Sequence, residues 1–446
     1  MTPRLVISSF RGMSGKTIIT LGILYGLYKR GLRVAPFKAG PDYIDPSYHQ
    51  TAARRPGRNL DVVLMGEDGV VKRFVKYSKD ADVAIVEGVL GLYDSLDGVS
   101  ELGSTAQLAK LLKAPVVLVL NGDRTNRTLR AIVRGMKLFD PKVEIPAVIL
   151  TNVTERQKEK LVKSLPEEGV EVLGAVPKSK ALEEAFRYRH LGLTPTGERG
   201  DVDTVIHVLE NYVTPHIDLD RLVEIAKAAG EIETSPDPEA TGGGSCRVGI
   251  VMDNAFTFYY PELIEEAASL GRPVFISALR DNTLPDIDVA IIGGGFPEIF
   301  AERLEKNKPF KKSLLSYIER GGVLYAECGG LMYLTSSIVI NRSEYEMVGA
   351  IDAVTILLDK PVGKGYVWGV VTGDTPIAPK GTTIKGHEFH YSKIVMREKA
   401  PLAIRLERGV GVGGGLDGIV KKNMHAQYTH IHPYTYSVLR KLCRYT

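Results

Sequence analysis

The chain has 446 residues, 44% hydrophobic and 25% charged, with a net charge of +4. That mix excludes wholesale disorder, and the length exceeds the roughly 250–300 residues at which a single core stops growing, so two or three domains are expected. So small a positive excess argues against a nucleic-acid coat or a membrane-surface binder, and no apolar stretch nears the roughly 20 residues of a spanning helix. The three cysteines, Cys246, Cys328 and Cys443, contain no C-x-x-C pair. Their odd number reads against a disulfide framework and a cysteine zinc site and suits a reducing, cytoplasmic setting. Met1-Thr2-Pro3-Arg4 runs straight into a strand-like segment, which is not the pattern of a secretory leader.

In chain order, short apolar runs at 5–9, 33–37, 83–86, 116–120 and 147–151 alternate with longer amphipathic segments. Runs that are continuously apolar rather than alternating predict strands covered on both faces, as in a parallel sheet built of βαβ units. Between the first two runs, residues 17–30 read as a helix that stops at Gly31. Segment 232–245 is dominated by Pro, Gly and small polar residues and reads as a linker. A second βα series follows, at 248–252, 274–276, 289–292 and 322–326. Two α/β domains are therefore expected, 1–231 and 246–446, the first a P-loop-type parallel-sheet unit.

The phosphate-loop expectation rests on Phe10-Arg11-Gly12-Met13-Ser14-Gly15-Lys16-Thr17, set between a strand and a helix. Gly12, Ser14 and Gly15 offer backbone N–H groups to phosphates, Lys16 reaches the β and γ phosphates, and the Thr17 hydroxyl suits Mg²⁺. Phe10 stands where the strict pattern has its first glycine, so the loop is a deviant form with Arg11 at its signature basic position. Ligands of open α/β sheets bind at the C-terminal strand edge, where Glu87 and Asp94 follow the third run. The rigid loop Gly40-Pro41-Asp42-Tyr43-Ile44-Asp45-Pro46 and then His49 follow the second. Asp42, Glu87 and Thr17 are the candidate Mg²⁺ ligands. Arg54, Arg55 and Arg58 suit an anionic ligand, although such a charge run is also common on exposed faces.

In the second half, Glu327-Cys328-Gly329-Gly330 places a cysteine at a strand-to-helix elbow, where a helix N-terminus favours the thiolate. Gly293-Gly294-Gly295 ends another strand, and Gly294 and Gly295 are candidate donors to an oxyanion. Histidines for a base occur in Gly386-His387-Glu388-Phe389-His390 and in Thr429-His430-Ile431-His432. Triad glutaminases carry the base in a His-x-Glu pattern. With His430 as the base, His432 occupies the place of that Glu, so either a dyad or another orienting group is required. His432 as the base is the alternative.

Several longer strings resemble the cobyrinate a,c-diamide synthase family, which includes Ni-sirohydrochlorin a,c-diamide synthases. They are Gly40-Pro-Asp-Tyr-Ile-Asp-Pro46, Arg58-Asn-Leu-Asp61, Glu87-Gly-Val-Leu-Gly-Leu-Tyr-Asp94, Gly103-Ser-Thr-Ala106, Arg189-His-Leu-Gly-Leu193, Ala255-Phe-Thr-Phe-Tyr-Tyr260, Gly293-Gly-Gly-Phe-Pro-Glu298 and Gly386-His-Glu-Phe-His-Tyr-Ser392. The departures are in the phosphate loop and at His432-Pro433. The resemblance implies a class I glutamine amidotransferase-like second domain, with ATP and L-glutamine as co-substrates and Mg²⁺ as cofactor. The implied reaction amidates the a- and c-carboxylates of cobyrinate, through acyl phosphates, in cobalamin biosynthesis. The alternative is the same diamidation of Ni-sirohydrochlorin in coenzyme biosynthesis for methane metabolism. The resemblance further implies Tyr43, Ile44, Asp45 and His49, together with Arg58 and Asp94, around the tetrapyrrole carboxylate, and Asn152, just after the run at 147–151, resembles the adenine-reading Asn of dethiobiotin synthetase-like ATPases. Oligomeric state is left open, a homodimer included. A ParA-like ATPase switch, suggested by Arg11, is the reading of another class and would leave Cys328 without use.

Overall fold

The first strand, β1 (Arg4–Ser9), is buried at every position because its apolar side chains are covered on both faces. Around it lie β2 (Val34–Ala39), β3 (Arg58–Leu60), β4 (Val83–Glu87), β5 (Val116–Asn121), β6 (Ala147–Val153) and β7 (Glu171–Pro177). They form one sheet in the order β3-β2-β4-β1-β5-β6-β7, with parallel pairing throughout. The computed structural model describes residues 1–186, 199–233 and 244–445, with 199–202 described by backbone alone. The string 189–193 and most of the expected linker lie outside these. The chain divides into two compact units, 1–238 and 239–446.

In the first unit, Leu5, Ile7, Ile85, Val117 and Ile149 of the sheet pack against Ile19, Ile23 and Leu27 of helix Lys16–Lys29. This helix starts from Gly15, whose φ of +90° is a left-handed value that glycine adopts without strain. The helix is buried on nearly all sides from Lys16 to Leu27, while its N-terminus opens at the C-terminal edge of β1.

The second unit carries β8 (Cys246–Val251), β9 (Gly271–Ile276), β10 (Val289–Ile292) and β11 (Val323–Glu327), the expected βα series. Beyond it come β12 (Thr335–Ile340), β13 (Ser343–Glu346), β14 (Ile351–Leu357), β15 (Gly363–Val371), β16 (Thr383–His390), β17 (Ser392–Met396), β18 (Leu402–Arg408), β19 (Leu416–Lys421) and β20 (Met424–Gln427). The main sheet runs β16-β15-β18-β19-β20-β11-β10-β8-β9, and β13-β12-β14-β17 forms a second sheet. Strands β9, β8, β10, β11 and β20 are parallel, whereas β20 through β16 are joined by antiparallel pairs. This antiparallel extension goes beyond the sequence expectation. Among the described residues no helix is long and apolar enough to cross a membrane.

One expectation is corrected. Cys246 in β8 and Cys443, just after the last helix Val438–Leu442, form a disulfide 197 residues apart in sequence, leaving Cys328 as the free, buried cysteine. Parity misled because one free thiol plus one long-range pair also makes three, and no short spacing marks such a pair. A cross-link closing so long a loop restricts the unfolded chain and typically contributes about 2–4 kcal/mol. Cys443→Ser, or reduction of the wild type, is therefore expected to lower the melting temperature of the second unit by several degrees. Thiol titration of the denatured, unreduced chain should find one reactive cysteine, and finding three would sink the assignment.

Candidate active sites

At the C-terminal edge of the first sheet lies a cavity of about 500 Å³. Gly12, Ser14, Gly15, Lys16, Thr17, Lys38, Asp45, Glu87 and Asn152 contribute to its walls. Lys16 Nζ donates to Ser9 Oγ at 2.9 Å and to the carbonyls of Leu90 and, at 3.4 Å, Arg11. All of these partners are neutral, so the ammonium makes no ion pair among the described residues. Burial, reinforced by the like charge of Lys38, lowers its pKa to about 8. A desolvated cation held by neutral oxygens favours an incoming anion.

Deeper in, the Thr17 hydroxyl donates to Glu87 and, at 3.4 Å, to Asp45. Lys38, inside otherwise apolar β2, bridges Asp45 at 2.7 Å and Glu87 at 3.0 Å. His49 Nε2 lies 2.6 Å from the second Glu87 oxygen. Burial works against both charges, but Lys38 is held above the usual lysine value by Asp45 and Glu87, and Glu87 below the usual carboxylate value mainly by Lys38. Among the described residues no three His, Cys, Asp or Glu side chains form a metal-binding group. Two carboxylates and a hydroxyl nevertheless fit Mg²⁺, which is usually bound by one or two carboxylates together with substrate phosphates and water.

The structure redistributes several predicted residues. Asp42 Oδ1 accepts the backbone N–H groups of Ile44 and Asp45, at 2.7 and 3.1 Å, and so holds the start of helix Ile44–Ala53. Asp45 in that helix, not Asp42, stands beside Thr17. Burial and the neighbouring Asp45 push Asp42 up to about 6. Arg58 lies in edge strand β3 with its guanidinium 3.5 Å from the Tyr77 ring centroid, so its stacking partner is an aromatic face outside the cavity. Asp94 folds back onto the Gly91 N–H at 2.7 Å. Tyr43 and Ile44 start the second helix and are not among the residues lining the cavity. Asn152 lines it from a left-handed backbone conformation, φ +55°.

In the second unit, β11 ends at Glu327, and Cys328 turns the chain into helix Gly329–Leu334 with φ +48° and ψ −101°. A non-glycine residue in such a conformation costs on the order of 1–3 kcal/mol and marks an elbow. The Cys328 N–H is held by the Gln427 carbonyl at 2.8 Å. Cys328 is 4% exposed and hydrogen-bonded to His430. His430 Nδ1 lies 3.1 Å from Glu327 Oε2, which leaves Nε2 for the thiol. Burial opposes the imidazolium, but the bonds to Cys328 and Glu327 outweigh it and raise His430 to about 10. A protonated imidazole is the partner that stabilises a thiolate.

Gly294 lies so close to His430 that an added Cβ would come within 2.6 Å of its Cε1. The Gly294 carbonyl accepts from Phe258 N–H at 2.9 Å. A Cβ on Gly329 would meet Gly295 N at 3.0 Å, so the Gly295 backbone packs directly against the elbow. His432 is fully buried, with its ring 4.2 Å from that of Tyr260 and its Nδ1 accepting Tyr434 N–H at 3.1 Å. His387 in β16 exchanges backbone hydrogen bonds with His430 and stacks on it at 5.1 Å. Burial and the two neighbouring histidines hold His387 well below the usual histidine value.

Residues missed from sequence are Lys38, Glu327 and Gly329. Lys38 had a signal, a lone lysine inside an apolar strand. Glu327 directly precedes Cys328, but the orienting acid was sought downstream of His430.

Comparison with known proteins identifies both units. Residues 5–191 match the CobQ/CobB/MinD/ParA nucleotide binding domain, and 247–435 the CobB/CobQ-like glutamine amidotransferase domain. A protein of Archaeoglobus fulgidus named cobyrinate a,c-diamide synthase is 42% identical over 434 residues, covering 96% of this chain and 94% of its own. Relatives with that name from Methanosarcina acetivorans and Listeria monocytogenes are 41% and 40% identical, covering 98% and 97% of this chain and 94% and 96% of their own. With identity at this level along nearly the whole length, and with a nucleotide-binding unit followed by an amidotransferase unit, the chain belongs to the cobyrinate a,c-diamide synthase family.

Proposed function

We propose that this chain uses ATP and L-glutamine to amidate the a- and c-carboxylates of cobyrinate in cobalamin biosynthesis. The observation that carries the reading is a buried Cys328–His430–Glu327 constellation in the same chain as an anion-seeking phosphate loop. An ATPase switch of ParA type has no use for the former.

In the second unit, Cys328 sulfur attacks the side-chain amide carbon of glutamine. The N–H groups of Gly295, in the glycine loop that also contains Gly294, and of Gly329, the first residue after the elbow, stabilise the oxyanion. His430 gives its proton to the leaving nitrogen, ammonia departs, and water then hydrolyses the thioester to glutamate. In the first unit, Gly12, Ser14 and Gly15 amides and Lys16 hold the triphosphate, and Asn152 reads the base. Thr17, Glu87 and Asp45 would hold Mg²⁺, which neutralises phosphate charge when bound. A substrate carboxylate attacks the γ-phosphorus, ADP leaves, and ammonia displaces phosphate from the acyl phosphate. Lys16 and the carboxylate cluster do this by positioning and charge, which is how phosphoryl transfer is chiefly promoted. Tyr43 and Ile44, half-buried at the start of helix Ile44–Ala53, are assigned to the side from which the tetrapyrrole carboxylate approaches.

The test offers cobyrinate and Ni-sirohydrochlorin together with ATP, Mg²⁺ and glutamine and weighs the products. Two OH-to-NH₂ replacements on cobyrinate alone are expected. Diamidation of the nickel ring alone would transfer the assignment to that substrate.

A further inference from the structure

The missing His-x-Glu acid raises the question of what orients His430. Strands β11 and β20 pair in parallel register, Tyr325 beside His425 and Glu327 beside Gln427. Side chains two apart on a strand share a face. These four buried polar residues therefore lie on one face of two adjacent strands, in the middle of a sheet.

They form one hydrogen-bonded chain. The Thr375 hydroxyl lies 2.7 Å from His425 Nδ1, and His425 Nε2 lies 2.8 Å from Gln427 Oε1. Gln427 Nε2 donates to the Tyr325 hydroxyl at 3.0 Å and to the Thr429 carbonyl at 2.6 Å. The Tyr325 hydroxyl donates to Glu327 Oε1 at 2.5 Å. Ile431 N–H reaches the same oxygen at 3.0 Å, and His430 Nδ1 faces the other. The direction is fixed throughout. An amide oxygen only accepts, so His425 carries its proton on Nε2 and takes the Thr375 hydroxyl at Nδ1. Burial lowers His425 to about 4, which keeps it in that neutral form. Apart from the Gln427 branch to the Thr429 carbonyl, the donations run from Thr375 toward Glu327, which accepts from Tyr325, Ile431 and His430.

We infer that Glu327 is the orienting acid of the glutaminase site, supplied by the residue just before the nucleophile and locked by the Tyr325–Gln427–His425 chain. It is a positioning residue. It fixes the His430 tautomer with the proton on Nδ1, turns Nε2 toward Cys328, and stabilises the imidazolium that forms as the thiol is deprotonated. Tyr325 and Ile431 N–H in turn prevent the carboxylate from rotating. The inference rests on Cys328 and His430 acting as proposed above.

The experiment measures glutamate release from glutamine by the full chain. Glu327→Gln is expected to lower kcat about 10²–10⁴-fold, the range for losing tautomer control in a triad, with KM within about threefold of wild type. Glu327→Asp should recover part of kcat, and Tyr325→Phe should lose about three- to tenfold. A merely structural role would not give a kcat-only loss that a shorter carboxylate partly reverses. Where Glu327→Gln fails to fold, as judged by its melting curve, Tyr325→Phe and Glu327→Asp decide: both at wild-type kcat would overturn the inference. So would a folded Glu327→Gln within threefold of wild type while Cys328→Ala is inactive. Activity surviving in Cys328→Ala would instead remove the underlying reading.

Discussion

Cys328→Ala is expected to abolish glutamine hydrolysis, by about 10⁴-fold or more, since no other side chain at the elbow can form the thioester. The substitution removes little bulk from a fully packed position and keeps the Cys328 N–H that bonds the Gln427 carbonyl, so the second unit should remain folded. Its backbone sits at φ +48°, which alanine tolerates no worse than cysteine. The loss should therefore be one of chemistry. Two measurements separate the possibilities: glutamate release, and amidation of cobyrinate with ammonium salt in place of glutamine. The expected pair is no glutamate and near-wild-type ammonia-dependent amidation, because the acyl phosphate needs only free ammonia. Retained glutamate release would show that another residue is the nucleophile. Loss of both activities in a folded variant would show that the first unit depends on the thiol as well.

What was legible in the sequence was local. A strand, a Gly-Lys-Thr loop and a helix follow one another within residues 4–29, so the phosphate loop could be read directly. The Glu327-Cys328-Gly329 elbow was equally compact. The continuous apolar runs predicted β1, β2, β4, β5 and β6 because both faces of each are covered. The antiparallel strands were harder because their faces alternate. Ile351, Ala353 and Thr355 of β14 are buried while Asp352 is exposed, a period-2 pattern of a half-covered strand. Residues whose placement depends on distant pairing stayed hidden. Glu327 meets His430 only because β11 lies beside β20, about 100 positions later, and Cys246 meets Cys443 across 197. Asp42 and Asp45 could not be ranked from spacing alone. Which of them faces Thr17 depends on where helix Ile44–Ala53 begins, and Asp42 is committed to that helix's first amides. The departure at His432 carried the most useful message, because a broken triad pattern implies that the carboxylate comes from elsewhere in the fold.

Lys16→Ala is expected to reduce ATP-dependent amidation at least about 10³-fold, the loss of a charged donor exceeding the 10²–10³ of one neutral oxyanion donor. Glutamine hydrolysis should persist, since Cys328, His430 and Glu327 lie in the other unit. The cavity suggests a second readout. Free Lys16 is lowered to about 8 by burial and by Lys38, so above that pH the empty loop increasingly holds a neutral amine. A bound triphosphate favours the ammonium, so nucleotide binding above about pH 8 must take up a proton. Affinity should then fall by up to tenfold per pH unit there and be flat in this respect below it. Calorimetric titration of MgATP at pH 7, 8 and 9 in buffers of different ionisation enthalpy would show the uptake. In Lys16→Ala both the proton uptake and this slope should vanish along with most of the affinity. A wild-type affinity independent of pH across that interval would mean that the ammonium does not meet the phosphates. Lys38 supplies the internal control. It stays charged, held between Asp45 and Glu87, so any slope observed between pH 7 and 9 does not come from it.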